Sequence, residues 1–109
     1  MVSQLNEFRP TVFAPYASIA KLLAGEQDAG RLNIRPALMV LIAEGLPPDE
    51  YDRIAKVFDT IVETSYAATE CPFLSCSCEK LWLHVNSDWA VLEPVDADYA
   101  AGFAAAARA

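Results

Sequence analysis

The chain has 109 residues, of which 54% are hydrophobic, and its formal net charge is −7. This length suits one domain and is too short for two independent cores, so we predict a single globular domain over residues 1–109. The acidic balance argues against direct binding to nucleic acid, and no run reaches the roughly 20 apolar residues that span a bilayer. The high apolar content predicts an apolar patch covered by another protein or, in a homodimer, by a second copy.

The first ten residues, MVSQLNEFRP, lack both the basic start and the apolar stretch of a secretory signal. The chain also contains three cysteines, an odd number that does not suit a disulfide framework. Both features favour a cytoplasmic protein whose thiols are reduced.

A short helical turn and an apolar strap are expected before Pro15, which is well placed at the first position of a helix. We predict this helix over residues 15–24, and Gly25 offers a C-terminal cap. Its apolar face would contain Tyr16, Ile19, Leu22 and Leu23.

A second helix is predicted from Pro36 to Gly45, through the run PALMVLIA. This run is apolar on every side, which is typical of the most buried element of a domain. Its length also fits a buried strand, and periodicity does not separate the two. Ala, Leu and Met at its start favour the helix.

The third helix is predicted from Pro48 to Thr69. Its entry carries two prolines and then two acidic residues, which suit the positive end of the helix dipole. Apolar residues then recur at spacings of three and four, as on one face of a helix. This stripe comprises Tyr51, Ile54, Phe58, Ile61 and Ser65.

After the cysteines the apolar period changes to two, which predicts strands. The segments KLWLHV and WAVLEP, separated by residues 86–88, read as a hairpin. Asp96 then caps a short C-terminal helix. The predicted fold is therefore mainly α, a compact bundle of three to four helices with a small C-terminal β-hairpin.

All three cysteines and the single histidine fall within CPFLSCSCEKLWLH. Cys71, Cys76, Cys78 and His84 could hold one structural zinc ion, since three thiolates and an imidazole are a known tetrahedral ligand set. The spacing is unusual, because knuckles that bind zinc place two residues between paired cysteines and only one separates Cys76 from Cys78. The alternative is that the thiols pack as small apolar groups without any cofactor.

Catalytic chemistry finds little support in the sequence. A thiol-dependent redox protein is a further alternative, but no C-x-x-C stands at a helix start to activate a thiol. No phosphate-binding glycine loop, nucleophile elbow or metalloprotease motif is present. We therefore expect a protein that is not an enzyme.

The remaining function class is protein binding. Residues 44–98 carry twelve acidic against three basic residues, so this part of the chain would attract a basic protein surface. Aromatic side chains in polar surroundings are typical of binding hot spots, although the two tryptophans fit equally well as a cover for the core of the hairpin. We predict a small inhibitor or adaptor, comparable in size and charge alone with phage proteins that block host defence. Its predicted contact residues are Asp52, Asp59, Glu63, Tyr66, Trp82 and Trp89.

Overall fold

The computed structural model describes residues 1–72 and 74–98. In chain order the elements are α1 (Val2–Phe8), β1 (Val12–Phe13), α2 (Ala17–Asp28), β2 (Leu38–Leu41), α3 (Pro48–Phe58), β3 (Ile61–Thr64), β4 (Ser75–Ser77) and β5 (Leu83–Val85). Within these ranges no helix is long and apolar enough to cross a membrane. The predicted C-terminal helix falls almost entirely on residues 99–109, outside the described residues.

The first three strands form a parallel sheet in the order β1, β2, β3. Parallel neighbours need a crossover connection, and α2 and α3 provide the two crossovers. Both helices pack on the same face of the sheet, because Leu23 of α2 and Ile54 of α3 share one core cluster with Met39 and Leu41 of β2. The fold is thus mixed α and β, and the predicted helical bundle with a C-terminal hairpin is wrong.

The predicted second helix is the central strand of this sheet. Leu38 pairs with Val12 of β1 on one side and with Ile61 of β3 on the other. Strands of parallel sheets usually have apolar side chains on both faces and read as continuous apolar runs, and residues 38–41 follow this pattern although only Met39 and Leu41 are fully buried. Helix propensity favoured a helix here because it describes each residue by itself and takes no account of the strands that pair with it.

The predicted third helix ends eleven residues early, at Phe58. Asp59 adopts the left-handed conformation, with φ 48°. Its N–H and that of Thr60 bond to the carbonyls of Lys56 and Ala55, which closes the helix in a Schellman motif. Ile61 therefore leaves the helical stripe and begins β3.

The predicted hairpin has the wrong partner strand. Residues 89–94 form no strand, and β5 pairs instead with β4, the cysteine segment, in antiparallel register. The turn between them spans Cys78 to Trp82 and contains Leu81 in a left-handed conformation, with φ 59°. The serine-and-cysteine run SCS is short and polar, so the sequence offered little strand signal there.

The sheet face opposite the helices remains partly open. Side chains alternate along a strand, so Leu38 and Val40 point away from the face that contributes Met39 to the core. Leu38 and Val40 are only half-buried, while Val12 and Ile61 beside them are exposed. Parallel sheets are usually covered on both faces, so this face is one place where a second copy or a partner could pack.

Candidate functional site

An open crevice of about 850 Å³ lies where β2 and β3 end. Ligands of open α/β sheets bind at this carboxyl edge, and binding pockets are mainly apolar with a few polar groups. The crevice fits that description, because it is lined by Tyr16, Tyr51 and Tyr66, which are all the tyrosines of the described residues. Leu81 and Leu83, from the β4–β5 hairpin, also line it.

Backbone hydrogen bonds hold the two exposed tyrosines in position. Tyr16 forms an isolated parallel bridge with Ile42, just beyond the end of β2. Tyr66 is bound by Ser75, whose hydroxyl accepts the Tyr66 N–H at 3.2 Å and whose own N–H donates to the Tyr66 carbonyl at 3.2 Å. Tyr51 lies deeper, and its hydroxyl accepts the N–H of Leu46 at 3.2 Å. The backbone on both sides of the crevice is therefore anchored, at Tyr16 beside β2 and at Tyr66 beside the hairpin.

Glu44 is the one charged residue among those that line the crevice. Its Oε2 accepts the N–H of Ser18, in the first turn of α2, at 2.9 Å. Hydrogen bonds from the Ser18 side chain and from this N–H lower the pKa of the Glu44 carboxyl below its ordinary value, so the group carries a negative charge at neutral pH. The preceding residue, Ala43, has φ 68°, a conformation that normally favours glycine.

The predicted aromatic contact residues are all exposed. Trp82 and Trp89 expose 62% and 79% of their surface, and Tyr66 exposes 56%. Trp82 precedes β5 on the outer side of the hairpin, whereas Tyr66 follows β3 and borders the crevice. Leu83 and Val85 of β5 are exposed as well, so the hairpin adds further apolar surface beside the aromatic rings.

The predicted acidic contact residues are separated from one another. Asp52 lies on the surface of α3 beside Asp28 of α2. The carboxylate of Asp59 forms an ion pair with Arg35 at the start of the sheet. Glu63 alternates with Val62, which packs against the core, so it points to the open sheet face. These carboxylates therefore do not form one surface with Trp82 and Trp89.

The cysteines and the histidine are only partly brought together. Cys76 lies directly opposite His84 in the hairpin register. Cys78 lies two residues further along, just beyond β4, where its sulfur is hydrogen-bonded to the His84 side chain. Cys71 instead pairs with Ala68 in a tight turn before β4. All three cysteines are free, and within residues 1–72 and 74–98 no three acidic, cysteine or histidine side chains are arranged to hold a metal ion.

The Cys78 sulfur receives several hydrogen bonds. The His84 side chain is the strongest partner, and the backbone N–H groups of Lys80 and Trp82 also contribute. Together they lower the pKa of the Cys78 thiol below its ordinary value. The same arrangement suits a sulfur that binds a metal, because N–H donors stabilise a coordinated thiolate.

Sequence reasoning missed the crevice, because Tyr16 and Tyr51 were assigned to apolar helix faces and Glu44 to the end of a helix. The signal that could have located the crevice is the alternation of strands and helices along the chain. Had 38–41 and 61–64 been read as parallel strands, the residues that follow them would have been expected at one edge of a sheet. No protein-family model matches this chain, and no curated protein matches its sequence at a significant level.

Proposed function

We propose that this chain is a non-enzymatic protein-interaction module, an inhibitor or adaptor of cytoplasmic proteins, that binds a basic protein surface. The observation that carries the proposal is the concentration of exposed large apolar side chains in residues 66–95, the apolar segment. They are Tyr66, Trp82, Leu83, Val85, Trp89, Val91, Leu92 and Val95. Exposed apolar surface of this extent is typical of binding sites, and tryptophan and tyrosine are the most frequent hot-spot residues.

Charge supports a basic partner. The acidic excess of residues 44–98 gives this part of the chain a negative potential, which accelerates encounter with a positive surface. Apolar anchors would then supply most of the affinity, while the acidic residues supply the choice of partner.

The double substitution Trp82→Ala and Trp89→Ala tests the apolar part of the proposal. We expect it to abolish capture of the partner from cell lysate, measured by pull-down and mass spectrometry against the unaltered chain. Leu22→Ala is the matched control, because Leu22 is 69% exposed but lies on α2. Capture of the same protein by the tryptophan double variant would contradict the proposal.

A separate charge-reversal variant tests the acidic part. Changing Asp52, Asp59 and Glu63 together to lysine should weaken capture, since it reverses three charges of the acidic half. Asp59 is paired with Arg35, so its reversal also breaks an ion pair. Folding of the variant is therefore checked first by circular dichroism, and unchanged capture by the folded variant would remove the electrostatic component.

A zinc-stabilised domain is the second candidate, favoured by the proximity of Cys76 and Cys78 to His84 in the hairpin. No three acidic, cysteine or histidine side chains among residues 1–72 and 74–98 are arranged to hold a metal ion, so these three would have to rearrange and Cys71 would have to move toward them. Metal analysis of protein purified without added zinc tests this candidate, together with melting in the presence of a chelator. One bound zinc ion per chain and a chelator-sensitive melting temperature support it; metal-free protein with unchanged melting excludes it.

The thiol-dependent redox alternative is tested by alkylation rates. A redox role requires one cysteine to react much faster than a free thiol at neutral pH. Equal and slow rates for all three cysteines would contradict that role.

A further inference from the structure

The crevice at the carboxyl edge of the sheet has the composition of a site for a cation. Three tyrosine side chains and one carboxylate line it, and no lysine or arginine does among the residues described. Aromatic rings attract a cation through the negative charge on their faces, and groups of such rings are the usual receptor for ammonium and methylated ammonium groups. A nearby carboxylate adds direct charge attraction.

We propose that this crevice receives a lysine or arginine side chain of the basic protein partner. This inference rests on the proposed function, and it names the chemical group that the partner inserts. The apolar lining from Leu81 and Leu83 would contact the methylene stem of that side chain, while Glu44 and the tyrosines surround its charged end.

The site is already shaped for such a ligand. Tyr16 and Tyr66 are held by backbone bonds to β2 and to the hairpin, and the carboxylate of Glu44 is held by the N–H of Ser18. Little backbone freedom would be lost on binding, which favours affinity, so the main ordering cost would fall on the exposed side chains of Tyr16 and Tyr66. Oε2 of Glu44 accepts a hydrogen bond at the N-terminus of α2. The carboxylate would therefore interact with both the positive end of the helix dipole and the incoming cation.

The location also agrees with the proposed contact surface. Leu83 lines the crevice and belongs to the same strand as Val85, in the exposed apolar segment. A partner that covers the hairpin would thus place its own side chains over the mouth of the crevice. The apolar surface and the cation site would be occupied by one partner at the same time.

Short capped peptides with a single central lysine, trimethyl-lysine, arginine or norleucine test the proposal with the full chain. Norleucine is the neutral control, because it keeps the apolar stem and lacks the charge. We expect the cationic peptides to shift the backbone amide NMR signals of Glu44, Ser65 and Tyr66, and to bind more weakly at high salt. Comparison of the three cationic peptides identifies which head group fits best.

Substitutions at Tyr66 provide a matched pair. Tyr66→Leu removes the aromatic face and should weaken binding of the cationic peptides about 2- to 30-fold. Tyr66→Phe keeps the ring and should retain most of the affinity. Tyr16→Leu is a second variant with the same expected direction, for use if Tyr66→Leu does not fold.

Two results would overturn the inference. Norleucine peptide binding as tightly as the cationic peptides would make the crevice a simple apolar groove, and absence of any shift at millimolar peptide would show that no such ligand enters it. Trp89→Ala separates this inference from the proposed function, because Trp89 does not line the crevice. That variant should lose partner capture and keep peptide binding.

Discussion

Left-handed backbone at ordinary residues marks the ends of several elements. Arg9 ends α1, Asp59 ends α3, Ala43 follows β2 and Leu81 precedes β5, all with φ between 48° and 68°. Such positions usually carry glycine or asparagine. Because none of these residues is a glycine, the sequence contained no local stop signal at Asp59, and the helix was extended too far.

Replacement of Ala43 by glycine should stabilise the fold. Glycine adopts φ 68° without the clash of a Cβ atom, so we expect the free energy of unfolding to rise by about 0.5–1 kcal/mol. Urea denaturation measures the change. Ala29→Gly is the control. Because Ala29 has φ −77°, which alanine adopts without strain, this substitution should lower the free energy of unfolding by a similar amount. A loss of stability at both positions would contradict the left-handed assignment of Ala43.

Glu44 contributes stability that depends on pH. Its pKa is lowered in the folded state, so its contribution is present above the ordinary value of 4.5 and is lost as pH falls through the folded pKa. Glu44→Gln should therefore unfold at lower urea concentration than the unaltered chain at pH 7, with no difference at about pH 2. The Glu79→Gln variant has the same net charge as the Glu44→Gln variant and serves as the control. An equal deficit at both pH values would show that the hydrogen bond with Ser18 does not depend on charge.

At the scale of elements, two buried serine hydroxyls join the hairpin to the parallel sheet. Ser77 accepts the N–H of Thr64 at 2.8 Å, and Ser75 binds the backbone of Tyr66. The N–H of Thr64, at the end of β3, and that of Tyr66 beyond it are thereby satisfied without a fourth strand. This junction places Leu81 and Leu83 against the crevice, so it supports the candidate site as well as the fold.

Ser77→Ala should weaken this junction. The N–H of Thr64 would lose its partner in a half-buried position, at a cost of about 1–3 kcal/mol in the free energy of unfolding. Hydrogen exchange should become faster at Thr64, which measures the opening of the junction directly. Ser87→Ala, in the exposed turn after β5, should change stability by less than about 0.5 kcal/mol. Equal effects of the two substitutions would argue against the docking of β4 on β3.

At the scale of the whole molecule, apolar and electrostatic contributions oppose each other in self-association. The open sheet face around Val12 and Ile61 favours contact with a second copy, whereas a net charge of −7 repels it. The same charge attracts a basic partner. The two kinds of association should therefore respond to salt in opposite directions.

Salt dependence separates these two associations. Between 0.01 M and 0.15 M salt, the screening length falls from about 30 Å to about 8 Å. We expect this change to weaken binding of the basic partner and to strengthen any association between copies, as measured by sedimentation velocity. Ile61→Lys should reduce association between copies while leaving partner binding in place. Partner binding that strengthens with salt would contradict the electrostatic component of the proposed function.

The sequence by itself determined the acidic charge, the start of α3 at Pro48 and the position of β5. These properties depend on composition and on local signals such as proline, turn residues and short apolar alternation. The central strand and the crevice were decided only by the tertiary structure. Residues 38–41 became a strand because β1 and β3 pair with both of its edges, and Tyr16, Glu44 and Tyr66 meet because three parallel strands end at one edge. Pairing between distant segments leaves no periodic mark in a single segment, which is why local propensity favoured the wrong fold.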